Sequence, residues 1–239
     1  MFRLFKIPLL FVISYAVKVT TTAPHPPPTQ AEQAPSNAFE GIIQVRSPRR
    51  VVQLASWAVS VAETASIIYL FTSPSYSPSN PPSWLSYLGW TGDLSRVSFN
   101  ATFLVGAFFA CLGAYIRWSS YKALGHLFTF EMSIKKDHRL VKDGPYRVVR
   151  HPGYLALLLD LGGAFLAFSG PGSWARESGF LTSWTGRPLF IIASAIPIFI
   201  TFGLIRRVPN EDEALHKAFG KEWEDWAKEV PYKLIPFVY

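Results

Sequence analysis

Apolar residues in this chain run in long windows instead of the short alternations of a soluble fold, and polar residues collect at the window ends. The stretch from Val51 to Phe71 is interrupted only by Glu63. As a helix it is long enough to cross a hydrocarbon core of roughly 30 Å. A second span, Val97 to Ile116, is closed by Arg117 and Lys122; a third covers Leu155 to Ser169, and a fourth, Pro188 to Ile205, runs into Arg206 and Arg207. The opening segment, Leu4 to Val19, is shorter and carries Lys6 and Pro8, so a signal peptide shares its shape. We read it as a retained fifth membrane helix, followed by a stiff proline-rich run from Pro24 to Pro28.

Arg46, Arg49 and Arg50 precede the Val51 window, and the loop from Ser73 to Arg96 holds proline, serine and aromatics with little charge. By the positive-inside rule that loop faces the lumen, and both ends of the last hairpin face the cytosol. Arg3 and Lys6 then stand on the wrong side for a spanning first helix. After Arg207 the pattern changes. From Asn210 to Val230 charge is dense, while Leu215, Ala218, Phe219, Trp223, Trp226 and Val230 recur at helical spacing, which predicts an amphipathic helix ended by Pro231.

Composition supports the membrane class. The 239 residues are 49% hydrophobic and only 16% charged, too apolar for an ordinary soluble domain. The expected fold is all-α: a polytopic helical bundle with a C-terminal cytosolic amphipathic helix. Residues 1–50 hold the N-terminal segment and linker, 51–122 a helical pair, and 123–239 the region that carries chemistry. The net charge of +7 sits beside apolar spans, where anionic lipid accounts for it without nucleic acid. The single cysteine, Cys111, permits no intrachain disulfide.

Two segments hold candidate chemistry. The first, Asp137 to Tyr154, places His138, Tyr146, Arg150, His151 and Tyr154 at the mouth of a span, with Pro145 and Pro152 interrupting any smooth helix. Two histidines thirteen residues apart make a poor metal site, so hydrogen bonding is the better role and no metal is expected. The second is Arg207-Val-Pro-Asn-Glu-Asp-Glu-Ala-Leu215. If the helix continues across Pro209, Arg207 and Glu211 share one face. Taken alone, this segment favours a plainer reading: Asn210 as an N-cap, with Glu211, Asp212 and Glu213 in the first turn. Glu63 and Asp160 are intramembrane carboxylates and so functional candidates, ranked below Arg207 because Asp160 suits a helix partner and Glu63 a polar seam.

Together the two segments resemble the isoprenylcysteine carboxyl methyltransferase family of integral membrane enzymes. The resemblance rests on His138, Leu140, Val141, Gly144, Tyr146, Arg150, His151, Pro152 and Tyr154. It rests equally on Arg207, Glu211, the conservative Asp212, Leu215, Phe219-Gly220, Val230-Pro231 and Ile235-Pro236. It covers Phe128 to Phe237. Asp212 stands at the family's second acidic position, Trp223 and Trp226 where tyrosines are usual, and Glu131 where some members have glutamine.

The resemblance implies S-adenosylmethionine as methyl donor, surrounded by Glu131, His138, Arg139, Leu140, Val141, Tyr146, His151, Tyr154 and Glu211. It implies catalytic roles for Arg207 and Glu211, with Arg207 gripping a substrate carboxylate. No glycine-rich strand-to-helix turn competes with that non-Rossmann site. The implied substrates are prenylated CaaX-type proteins after proteolysis, met at the endoplasmic reticulum membrane with the catalytic loops facing the cytosol. Three other readings stay open: a phospholipid N-methyltransferase, a membrane reductase of the sterol type, and a membrane scaffold that binds anionic lipid.

Overall fold

The computed structural model describes residues 2–25, 46–73, 76, 77, 87, 90–128 and 139–238. Their regular elements are helices: α1 Lys6–Thr21, α2 Arg46–Thr72, α3 Ala101–Leu124, α4 Pro152–Ser169, the short α5 Trp174–Glu177, α6 Gly186–Phe219 and α7 Lys221–Glu229. Among the described residues, five stretches are long and apolar enough to cross a membrane: Phe2–Thr21, Pro48–Thr72, Ala101–Leu127, Pro152–Glu177 and Gly186–Phe219. The fold is therefore the expected all-α, multi-span one.

Local chemistry sets the helix ends. Asn100 starts α3 four residues later than the apolar window suggests, because its side chain accepts a hydrogen bond from the Phe103 amide (3.0 Å) and caps the helix. The helix then runs past Arg117 and Lys122 to Gly125, whose φ of 54° ends it. Pro152 begins α4 at a position that needs no amide donor.

Two sequence expectations are corrected beyond Arg207. The helix does not restart at Asn210: α6 continues through Pro197 and Pro209 to Phe219, so Asn210 is a helix-interior residue and not an N-cap. The predicted amphipathic helix from Asn210 to Val230 is divided at Gly220 (φ 51°) between the end of α6 and the nine-residue α7. A glycine in that conformation cannot propagate a helix, whatever the side-chain periodicity around it. Most of the Ser73–Arg96 loop and of the proline-rich linker lies outside the described residues.

Where neighbouring helices are no more apolar than lipid, close backbone approach and buried polar contacts decide association. Both occur here. A Cβ on Gly106 of α3 would fall 2.7 Å from the Gly163 carbonyl oxygen of α4, and one on Gly113 would fall 2.5 Å from the Ala156 oxygen, so α3 and α4 touch through their backbones. The first helix packs on α2, α3 and α4. At its N-terminal end Lys6, fully buried, pairs with the fully buried Glu63 of α2 at 2.5 Å and donates to the carbonyls of Ser98 (3.0 Å) and Gly172 (2.9 Å). Arg3 donates to the Ser95 carbonyl at 2.6 Å. Both N-terminal cations are thus held by protein groups. Glu63 belongs to this seam. Asp160 of α4 accepts from the Thr20 hydroxyl of α1, so both intramembrane carboxylates engage helix partners.

The connections put the C-terminal ends of α1, α3 and α6 at the same end of the bundle as the beginnings of α2 and α4. Gln53 of α2 donates to Thr21 (2.8 Å), and Arg117 of α3 donates to Gly153 of α4 (2.8 Å). The two motifs meet at this end, opposite the Lys6–Glu63 pair.

Breaking that pair should be costly, because one buried charge would be left without its partner. Lys6→Met should destabilise the detergent-solubilised protein by about 3–5 kcal/mol, and adding Glu63→Leu should recover most of the loss. Thermal unfolding of both variants is the check; a single variant as stable as wild type would show that the pair does not hold α1.

Candidate active site

Arg150 and His151 occupy the last two positions before α4, and Tyr154 sits in its first turn. Pro152 orients this corner by keeping His151 out of the helix (φ −121°, ψ 60°). Two backbone amides exposed by the corner are satisfied from the C-terminal segment: Arg150 N donates to the Tyr232 carbonyl and His151 N to the Lys233 carbonyl, each at 2.9 Å. The chain after α7 therefore acts as a strap across the first motif.

The second motif arrives on α6. Because the helix passes through Pro209 unbroken, Arg207, Glu211 and Asp212 are presented together to the corner. Asp212 takes two partners at once, Arg150 Nη2 at 3.2 Å and His151 Nε2 at 3.0 Å. An ionised carboxylate only accepts, so Nε2 carries the proton and Nδ1 faces Glu211 Oε2 at 3.9 Å. Arg150 also donates to the Val230 carbonyl at 3.5 Å and stacks its guanidinium 5.5 Å from the Trp223 ring centroid.

Glu211 is set differently. It is 32% exposed, accepts a hydrogen bond from the Tyr154 hydroxyl and lies 4.0 Å from Arg207 Nε, too far for a hydrogen bond but close enough for an ion pair. The imidazole of His151 stacks on the Tyr154 ring, 5.5 Å between centroids and 9° from parallel. Tyr146 lies in the 3₁₀ turn Gly144–Arg147. Burial pushes its phenol well above the ordinary range, and the Glu211 carboxylate adds to this, so it stays a proton-bearing donor at neutral pH.

Of the residues singled out in the sequence, Tyr146, His151, Tyr154, Arg207 and Glu211 gather here. Arg139, Leu140 and Val141 lie in the non-helical approach to the 3₁₀ turn, and no hydrogen bond or ion pair among the described residues joins them to the cluster. Glu131 and His138 lie outside the described residues. Sequence reasoning placed Arg150 at the mouth of the span and Asp212 among the acidic residues after Arg207, but did not pair them, although the two link the motifs. Their opposite charges, each next to a site residue, were the available signal. The strap from Val230 to Lys233 left none, since backbone pairing does not depend on side-chain type.

Removing Asp212 should leave Arg150 and His151 buried without their common acceptor. Asp212→Ala is expected to cost on the order of 3 kcal/mol in stability, and Asp212→Asn less, because the amide oxygen still accepts from one of them. Chemical denaturation in detergent measures this; equal stability of all three proteins would mean that the two motifs are held together elsewhere.

Comparison with known proteins bears directly on this cluster. The sequence model of the isoprenylcysteine carboxyl methyltransferase family matches residues 104–173, which include the first motif. A probable protein-S-isoprenylcysteine O-methyltransferase of Oryza sativa subsp. indica is 28% identical over 136 residues, 56% of this chain and 61% of that protein. The protein-S-isoprenylcysteine O-methyltransferase of Schizosaccharomyces pombe is 30% identical over 132 residues, 54% of this chain and 48% of the relative. A Delta(14)-sterol reductase of Candida albicans is 29% identical over 161 residues, 64% of this chain but 29% of the reductase. The chain thus spans less than two thirds of the length of each of these relatives. The matched segment contains the first motif, and Asp212 packs the second motif onto it, so this cluster lies where the chain is similar to the isoprenylcysteine carboxyl methyltransferase family.

Proposed function

We propose that this chain transfers a methyl group from S-adenosylmethionine to the C-terminal carboxylate of a prenylated cysteine, forming a methyl ester. The observation that carries the reading is the convergence of Arg207, Glu211, Tyr154 and His151 at one end of the bundle, on the two motifs that resemble the family. Those residues suit the donor. Aromatic faces on Tyr146, His151 and Tyr154 beside one carboxylate, Glu211, fit a sulfonium cation. We assign its binding to these four, with Arg139, Leu140 and Val141 alongside and Glu131 and His138 in the adjoining segment. When bound, S-adenosylmethionine supplies an electrophilic methyl carbon.

The chain's own contribution is alignment. An α-carboxyl group ionises near pH ~3.5, so the acceptor is already a carboxylate at neutral pH and no general base is required. Arg207 receives that carboxylate, because a guanidinium stays charged and presents paired donors to two oxygens. Glu211, four residues along the same helix, holds the guanidinium in register from one side while Tyr154 holds Glu211 from the other. Fixing nucleophile and methyl carbon in line, away from bulk water, accounts for the acceleration. The substrates on this reading are prenylated CaaX-type proteins after proteolysis, presented at the endoplasmic reticulum membrane on its cytosolic face.

Membranes carrying the chain should transfer labelled methyl from S-adenosylmethionine to N-acetyl-farnesylcysteine as a base-labile ester, and leave N-acetylcysteine and phosphatidylethanolamine unlabelled. Arg207→Ala and Glu211→Ala should each lower turnover by about 100-fold or more while the protein stays inserted. Label in the phospholipid would move the chain to amine methylation. No label anywhere, together with nicotinamide-cofactor binding, would favour the reductase reading suggested by the similarity to the Delta(14)-sterol reductase.

A further inference from the structure

Arg117 is a cation in a membrane-span helix and is 4% exposed, a costly placement that requires strong compensation. Its guanidinium reaches in two directions. Nη1 donates to the Gly153 carbonyl at 2.8 Å, and Nε donates to the Tyr121 hydroxyl at 2.8 Å. The cation also lies 5.0 Å from the Tyr121 ring centroid and 5.1 Å from that of Phe128, which pack against each other edge to face. A Cβ built on Gly153 would sit 2.6 Å from Nη1, so the guanidinium fills the space that a side chain would take there.

Gly153 stands between His151 and Tyr154, in a first helical turn that has no side-chain cap of its own. Its orientation therefore comes from outside the helix. The strap fixes the approach through Tyr232 and Lys233, and Arg117 fixes the turn itself. On its other side, the Tyr121 hydroxyl lies 3.3 Å from the carbonyls of Val19 and Thr20 and 3.1 Å from that of Thr22. Carbonyls in the last turn of a helix lack intrahelical partners, and the negative end of the α1 dipole favours a nearby cation. The Tyr121 hydroxyl accepts from Arg117 and donates to one of these carbonyls.

We propose that Arg117 is a positioning residue for the site: through the Gly153 carbonyl it sets the first turn of α4 so that His151 and Tyr154 face Asp212 and Glu211, and through Tyr121 it ties that turn to the end of α1. The effect on turnover rests on the proposed function; the effect on the turn does not.

Hydrogen exchange on the full chain in lipid nanodiscs separates the two. Arg117→Gln should speed amide exchange across residues 154–157 by about tenfold or more, the size of one lost charge-assisted hydrogen bond, with little change across 161–167. With N-acetyl-farnesylcysteine it should lower kcat at least about tenfold and leave KM near wild type, since Arg207 is untouched. Arg117→Lys keeps the charge but lacks the rigid fork that sets the two bonds at fixed spacing, so it should restore turnover only in part and still show local exchange; it serves as the probe if the glutamine variant does not fold. A wild-type protein that methylates nothing would overturn the functional reading while the exchange result still decides the positioning role. Unchanged exchange at 154–157, or equal acceleration along all of α3 and α4, would overturn the positioning role and leave Arg117 as a general fastener of the bundle.

Discussion

Two adjacent carboxylates join the halves of this site, Glu211 through Tyr154 and, more fully enclosed, Asp212. Asp212 receives Arg150 through one oxygen and His151 through the other, across 62 and 61 residues of chain, in surroundings that largely exclude water. A charge-assisted pair of this kind is directional, so it fixes how α6 lies against the corner that starts α4. It forms only because α6 continues through Pro209.

The same economy of polar contacts runs through the membrane-span segments. Lys6 with Glu63, Thr20 with Asp160, and Arg117 with Gly153 and Tyr121 each link two helices at a buried point. Between helices immersed in lipid the hydrophobic effect offers little preference for one packing over another, so these contacts and the backbone-close α3–α4 seam supply the specificity. The polar residues that look like breaches of the apolar windows are the contacts that order them.

Within the cluster, Glu211 is the most open of the charged groups. Arg150, His151 and Asp212 are enclosed and use their hydrogen bonds on one another and on the strap. Glu211 remains about one third open (32% exposed), with a weaker hold on Arg207 and a hydroxyl donor from Tyr154. Asp212 is long enough, from its place on α6, to reach both Arg150 and His151.

The spans and the break around Pro145 and Pro152 were legible in the chain itself, and the pairing of Arg207 with Glu211 was legible only on the condition that the helix crosses Pro209. Each follows from local rules: window length against bilayer thickness, the missing amide of proline, and four-residue spacing on a helix. The course of the chain past Arg207 was not legible. Asn210 and the acidic residues after it form a good capping pattern, yet tertiary contact of Glu211 and Asp212 with the α4 corner outweighs the fraction of a kcal/mol to roughly 2 kcal/mol that a cap contributes. Nor does the pairing of Arg150 with Asp212, the strap across His151, or the reach of Arg117 to Gly153 follow from composition or spacing. Those contacts join residues dozens of positions apart, and only the packing of α3, α4 and α6 decides which polar groups share one end of the bundle.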